Sequence, residues 1–212
     1  MFDFDGTLVQ SNQIKIDTYF TITRELAGAE EFLKNLLNSY PGLDRYGVAR
    51  RIAENFFPRQ DQAQVSEELA RHYTEVCDRL IATAPEVRGA TAILQRLHQS
   101  KVALFVSSAT PQTLISDLVQ SRDWGGYFQR CYGSPNTKIS HLQEIHRLMS
   151  CKKDQMLMIG DSSVDYSAAR SFGCKFMGVG KAFEASRCHH PCGSNLEELG
   201  PFIFGLRPPE GC

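Results

Sequence analysis

The 212 residues suit one domain, or a core domain carrying a smaller insert. With 42% hydrophobic and 22% charged residues, 16 Gly and 9 Pro, the composition excludes disordered, collagen-like and low-complexity chains. Lys+Arg 23 against Asp+Glu 24 lacks the basic excess of a nucleic-acid binder, and no apolar run approaches the roughly 20 residues that span a bilayer.

In chain order, the sequence opens on an acidic cluster, Met1-Phe-Asp3-Phe-Asp5-Gly-Thr-Leu8. Residues 12 to about 84 hold helix-period stretches at 13–27, 30–39, 44–56 and 62–83, and no convincing strand. In the last of these, Leu69, His72, Tyr73, Val76 and Leu80 mark one face. Residues 85–89 break the pattern and 90–99 resume as a helix. A strand–helix alternation then follows. Strands are expected at 102–106, 128–132, 156–159 and 176–179. Helices are expected at 111–121, 140–149, 164–172 and 195–204, with Gly173 closing the third. The pattern predicts an α/β fold: a Rossmann-like three-layer core with a parallel sheet, plus an inserted all-α block. The core would be 1–11 with 85–212, and the insert 12–84.

Two carboxylates at i and i+2 on extended chain, Asp3 and Asp5, point to one side with Cα atoms about 7 Å apart. Gly6 permits a sharp exit from a strand end, and Thr7 is suited to cap local backbone groups. Alone, such a pair is common in acidic turns; the following Gly-Thr-Leu and the interleaved Phe residues set it apart. Ile159-Gly-Asp161-Ser-Ser-Val-Asp165 follows an apolar strand and opens a helix, with Ser162 or Ser163 suited to the N-cap and both carboxylates able to face one space. Ser107 and Ser108 end a buried strand, where a hydroxyl and free N–H groups can grip a phosphate oxygen. Lys138 lies in Gly133-Ser-Pro-Asn-Thr-Lys138, a loop entering a helix. Each of the last two is weak alone.

Their order on an α/β pattern resembles the haloacid dehalogenase (HAD) superfamily, in the group of phosphoglycolate phosphatases and β-phosphoglucomutases. The resemblance implies that 12–84 is a helical cap domain. It implies Asp3 as nucleophile, Asp5 as general acid/base, Ser107 with Ser108 as phosphate ligands and Lys138 as charge-balancing cation. Mg²⁺ would be held by Asp3, Asp161 and the Asp5 carbonyl, with Asp165 behind them. An acidic residue at position 5 implies a phosphatase rather than a dehalogenase. The expected activity is therefore a Mg²⁺-dependent phosphomonoesterase for a small phosphorylated metabolite. A sugar phosphomutase and a non-catalytic module retaining the fold are the alternatives.

The sequence departs from the pattern of the superfamily in three places. Only Met1 and Phe2 precede Asp3, so either the natural chain starts upstream or the central strand is short. Gln10 stands where many relatives carry Asp, and Ile139 follows Lys138 where Pro is common. Lys15, Arg24, Arg45, Arg50, Arg51 and Arg59 in the helical block read first as solvated charge and second as greeting an anionic substrate. Cys188-His-His-Pro-Cys192 lacks the second ligand pair of a zinc finger. His72, His98, His141 and His146 read as surface or core fillers. Seven irregularly spaced Cys and an acidic start imply reduced thiols in the cytoplasm. No nucleic-acid or membrane partner is expected, and the chain is expected to be a monomer or homodimer.

Overall fold

Phe2 lies between two strands and pairs with both in parallel, through bridges to Val106 and to Ile159. Phe2 N donates to Phe105 O (2.8 Å) and Asp3 N to Ile159 O (2.9 Å), while Ser107 N donates back to Phe2 O and Ile159 N to Met1 O. Residues 1–3 therefore lie in the sheet in the place of its central strand, between the strands that carry Val106 and Ile159. The computed structural model describes residues 1–40, 43–180, 183 and 190–205. On one side of the opening segment β1 (Phe105–Pro111) pairs with β2 (Arg130–Ser134). On the other side β3 (Leu157–Gly160) pairs with β4 (Lys175–Val179), and β4 with the two-residue β5 (Cys192–Gly193). All of these sheet pairings are parallel, giving the order β2-β1-opening segment-β3-β4-β5. Such strands are buried on both faces, and Phe2, Phe105, Val106, Met158 and Ile159 are all at most 2% exposed.

The chain forms two compact units, Met1–Gln10 with Ala84–Cys212, and Ser11–Thr83. The first is an α/β, Rossmann-like three-layer core with helices α5 (Ala90–Gln99), α6 (Gln112–Gln120), α7 (Lys138–Met149), α8 (Ser163–Phe172) and α9 (Leu196–Gly205). Here α7 packs on α8 and β1, and α9 on α5. After Asp5 the chain turns sharply at Gly6 (φ 73°), with Gly6 N donating to Val9 O. Thr7 does not cap the turn as expected; it is fully buried and its hydroxyl has no hydrogen-bond partner.

The strand expected at 102–106 starts three residues later. Residues 100–102 are used in closing α5: Val102 N donates to Leu97 O, and Lys101 takes a left-handed turn (φ 57°). The strand expected at 128–132 likewise slides to 130–134, because Gly125–Tyr127 form a turn of 3₁₀ helix before it. β5 is too short to leave a periodic signal.

The second unit is all-helical among its described residues: α1 (Asn12–Ile22), α2 (Ala29–Ser39), α3 (Arg45–Phe56) and α4 (Gln62–Thr83). Asp44 caps α3 by accepting from Gly47 N at 2.7 Å. α1 ends five residues before the expected 27, with Thr23 at its C-cap. The buried stripe of α4 is Ala70, Tyr73, Cys77 and Ile81, rotated from the expected face, and Leu80 is 45% exposed. Small residues one turn either side of Tyr73 leave room for it to stack on Tyr19 (centroids 4.2 Å). Arg45 is used inside this unit, over the Tyr73 ring and donating to Thr74 Oγ1 at 2.9 Å. Arg50, Arg51 and Arg59 are exposed, as a solvated face predicts.

Cys77, Cys131, Cys151 and Cys174 carry free thiols, and among the described residues no helix is long and apolar enough to cross a membrane. Cys188 and His189 of the Cys-His-His-Pro-Cys stretch lie outside the described residues.

Candidate active site

Parallel strands deliver their C-terminal ends to one edge of the sheet, and α/β ligand sites form there. Asp3 ends the central segment and Asp161 directly follows β3. Carboxylate oxygens of Asp3, Asp161 and Asp165 lie within 4.8 Å of one another. Asp165 is placed by local chemistry. Ser162 caps α8, and Asp165 Oδ2 accepts from Ser162 N (3.2 Å) and Ser162 Oγ (2.5 Å), a reciprocal capping box. Its other oxygen, Oδ1, accepts from Lys138 Nζ, so both oxygens of this fully buried carboxylate are engaged.

Lys138 is the first residue of α7 rather than the loop residue expected. Thr137 caps the helix by accepting from Ser140 N, and so brings the helix start forward. Lys138 Nζ lies 2.9 Å from Asp3 Oδ1, with side chains 11% and 6% exposed. Burial, with Asp165, Asp161 and Asp5 adding to it and Lys138 opposing, holds the Asp3 carboxyl well above the usual carboxylate range. Burial works against the Lys138 ammonium, but Asp3 and Asp165 outweigh it and the lysine titrates above its ordinary range. Three carboxylates, Asp3, Asp161 and Asp165, thus lie together, two of them paired with the ammonium of Lys138.

Asp5 is 7% exposed. Its Oδ2 accepts from Ser108 Oγ and from Thr110 Oγ1, each at 3.2 Å, and Thr110 N donates to Ser108 Oγ at 3.0 Å. The structure thus separates the two serines expected to act together. Successive strand residues face opposite sides; Ser108 turns to Asp5, whereas the hydroxyl of Ser107 is spent on His141 Nδ1 at 2.8 Å. A strand that ends at 106 leaves Thr110 outside the expected set. Extending it to Pro111 puts 108 and 110 on one face. His141, expected to be a surface or core filler, bonds Ser107; its spacing of three from Lys138 on one helix is the signal in the sequence.

Gly160 explains how Asp165 comes so close to the end of β3. A Cβ at Gly160 would stand 2.7 Å from Asp165 Oδ2 and collide with its carboxylate carbon. Gly160→Ala is therefore expected to cost about 1–3 kcal/mol through displacement of Asp165, read as a lower urea midpoint. An unchanged midpoint would show that the contact is not tight.

Comparisons with known proteins bear on the family and the fold. A curated phosphoglycolate phosphatase of Pseudomonas fluorescens is 26% identical over 200 residues, covering 88% of this chain and 71% of the relative. Two solved structures share the fold at a TM-score of 0.74. One is a predicted phosphoglycolate phosphatase of Haemophilus somnus, 17% identical, covering 95% of this chain and 96% of the other. The second is a Thermotoga maritima protein described as a β-phosphoglucomutase, 15% identical, with 97% and 98% covered. The sequence profile of the haloacid dehalogenase-like hydrolases matches residues 1–179. With the match running through Asp3, Lys138 and Asp161, the chain belongs to the haloacid dehalogenase-like hydrolases.

Proposed function

We propose that this hydrolase is a Mg²⁺-dependent phosphomonoesterase that releases orthophosphate from a small phosphorylated metabolite by way of an aspartyl-phosphate on Asp3. The observation that carries the reading is the pairing of Asp3 with Lys138 at 2.9 Å beside Asp161 and Asp165, with a second carboxylate, Asp5, two residues further on and held by hydroxyls. The phosphoglycolate phosphatases among the relatives support it.

The donor set fits the metal. It is all oxygen, it suits a hard cation, and it brings carboxylate oxygens of Asp3, Asp161 and Asp165 within 4.8 Å of one another. Asp3, Asp161 and the Asp5 carbonyl are its proposed ligands, with Asp165 kept on Lys138 and Ser162. When bound, Mg²⁺ offsets the charge of the phosphate and the carboxylates that would otherwise repel it.

An oxygen of Asp3 attacks phosphorus in line as the ester P–O bond breaks, forming the acyl phosphate. Asp5 gives its proton to the leaving alkoxide, then takes one from the water that attacks the same phosphorus. Orthophosphate leaves and the Asp3 carboxylate is restored. Lys138 and Ser108 hold non-bridging phosphoryl oxygens; Ser107, expected beside Ser108 in that part, instead bonds His141. The helical unit Ser11–Thr83 is the proposed cap that selects the substrate, and a reducing, cytoplasmic setting suits the thiols.

The test is orthophosphate release over a panel of phosphorylated metabolites, 2-phosphoglycolate and hexose phosphates included, with Mg²⁺ and with EDTA. The reading expects at least one ester to turn over with Mg²⁺ and to lose at least about 99% of its rate in EDTA. A folded protein with no Mg²⁺-dependent release would sink it. Hexose phosphates interconverted without free phosphate would replace it with the phosphomutase.

A further inference from the structure

We infer that His141 is a positioning residue of the site: its hydrogen bond to Ser107 sets the spacing between the end of β1, which presents Ser108, and the start of α7, which presents Lys138. The inference rests on the proposed roles of Ser108 and Lys138, and on geometry within the α/β core.

His141 is 1% exposed and Ser107 is 0% exposed, and the bond joining them is 2.8 Å long. The imidazole lies on the ring of Tyr132 (centroids 5.2 Å, planes 26° apart), and Tyr132 is the residue paired with Ser107 across the β1–β2 ladder. The histidine thus covers the one rung of the sheet that stands beside Ser108. Filling space does not require a histidine there. Burial pushes its imidazole below the ordinary value against the pull of the Gly133 backbone, and Leu142 and Ile145 on the same helix already supply apolar contacts. A buried polar ring in that setting is costly unless its bond to Ser107 has a use.

The use follows from where the bond falls. Lys138 and His141 are one turn apart on a capped helix, so they move together. Ser107 and Ser108 are adjacent on a strand, so they also move together. The His141–Ser107 bond therefore closes a ring of contacts, running from Asp3 to Lys138, along α7 to His141, across to Ser107, and through Ser108 to Asp5. Asp3 and Asp5 complete it through Phe4. Misplacing a catalytic group by about 1 Å can cost on the order of 10²-fold in rate, and this bond is the tie between the two elements that hold the phosphoryl group.

The experiment compares Ser107→Ala, His141→Leu, the double variant and His141→Asn, whose amide can still reach Ser107. kcat and KM are measured on the ester found in the metabolite panel, thermal midpoints are recorded, and the ¹⁵N-edited ammonium resonance of Lys138 is followed after assignment with Lys138→Met. Each single loss is expected to lower kcat about tenfold or more and leave KM within about threefold. The double variant should be no slower than the worse single, because both remove one tie. His141→Asn should recover most of the rate, and the Lys138 resonance should broaden in Ser107→Ala and His141→Leu. Unchanged kcat with only a lower thermal midpoint, or effects that multiply in the double variant, would overturn the inference. Should His141→Leu fail to fold, Ser107→Ala and His141→Asn decide it. If the parent turns over nothing, the proposed function has failed, and the Lys138 resonance still decides this inference: a sharp, unshifted signal in Ser107→Ala overturns it.

Discussion

Asp3→Asn should give a folded protein, at least as stable as the parent without metal, whose turnover has fallen by at least about 10³-fold. The loss follows from replacing the attacking carboxylate with an amide of the same shape. The stability follows from the charge inventory. Burial first, then Asp165, Asp161 and Asp5, raise the Asp3 carboxyl against the pull of Lys138. For an acid whose folded pKa is raised, the stability it contributes is full below the unfolded value of 3.8 and is lost as pH rises through the folded value. Once ionised, Asp3 is therefore a cost that Asn removes, while Lys138 keeps its bond to Asp165. Thermal midpoints in EDTA should show Asp3→Asn at or above the parent, and added Mg²⁺ should stabilise the parent more than the variant. A variant clearly less stable in EDTA would mean that the Asp3–Lys138 pair outweighs the repulsion.

Lys138→Met should move stability the other way. Methionine replaces most of the apolar stem, but it leaves Asp3 and the fully buried Asp165 without their cation. Removing one partner of a buried ion pair typically costs about 3–5 kcal/mol, because the remaining charge stays desolvated. Urea unfolding should show a loss of about that size together with loss of turnover. The double variant Asp3→Asn/Lys138→Met should be more stable than Lys138→Met alone, since one stranded carboxylate is gone. A loss below about 1 kcal/mol for the single variant would contradict the pairing. Opposite signs at two touching residues distinguish a site held together by charge from one that is merely acidic, and strained charge of this kind is what functional sites keep at the expense of stability.

Much of this arrangement was legible before any coordinates. Asp3, Asp161 and Asp165 are tied to strand ends and a helix start by local patterns, so the period-2 and capping signals that locate the elements also locate the carboxylates. The helices from Ala29 to Thr83 could be read for the same reason, since Asp44 caps one and two others run almost as patterned. What the sequence misplaced depends on tertiary contacts. The apolar run at 102–106 looks like a strand, yet its first residues close α5, and the shift of three decides which serine reaches Asp5. The α4 stripe turned because Tyr19 and Tyr73 stack, a pairing between residues far apart in sequence. The bond between Ser107 and His141 spans 34 residues, and no periodicity within either element announces it.

The proposed mechanism turns on the covalent step at Asp3. Protein quenched in acid during Mg²⁺-supported turnover, digested and analysed by mass spectrometry, should carry a phosphoryl adduct on the peptide containing Asp3. The adduct should be absent from Asp3→Asn and from parent protein kept in EDTA. Orthophosphate release that persists in Asp3→Asn, with no adduct on the Asp3 peptide of the parent, would contradict it.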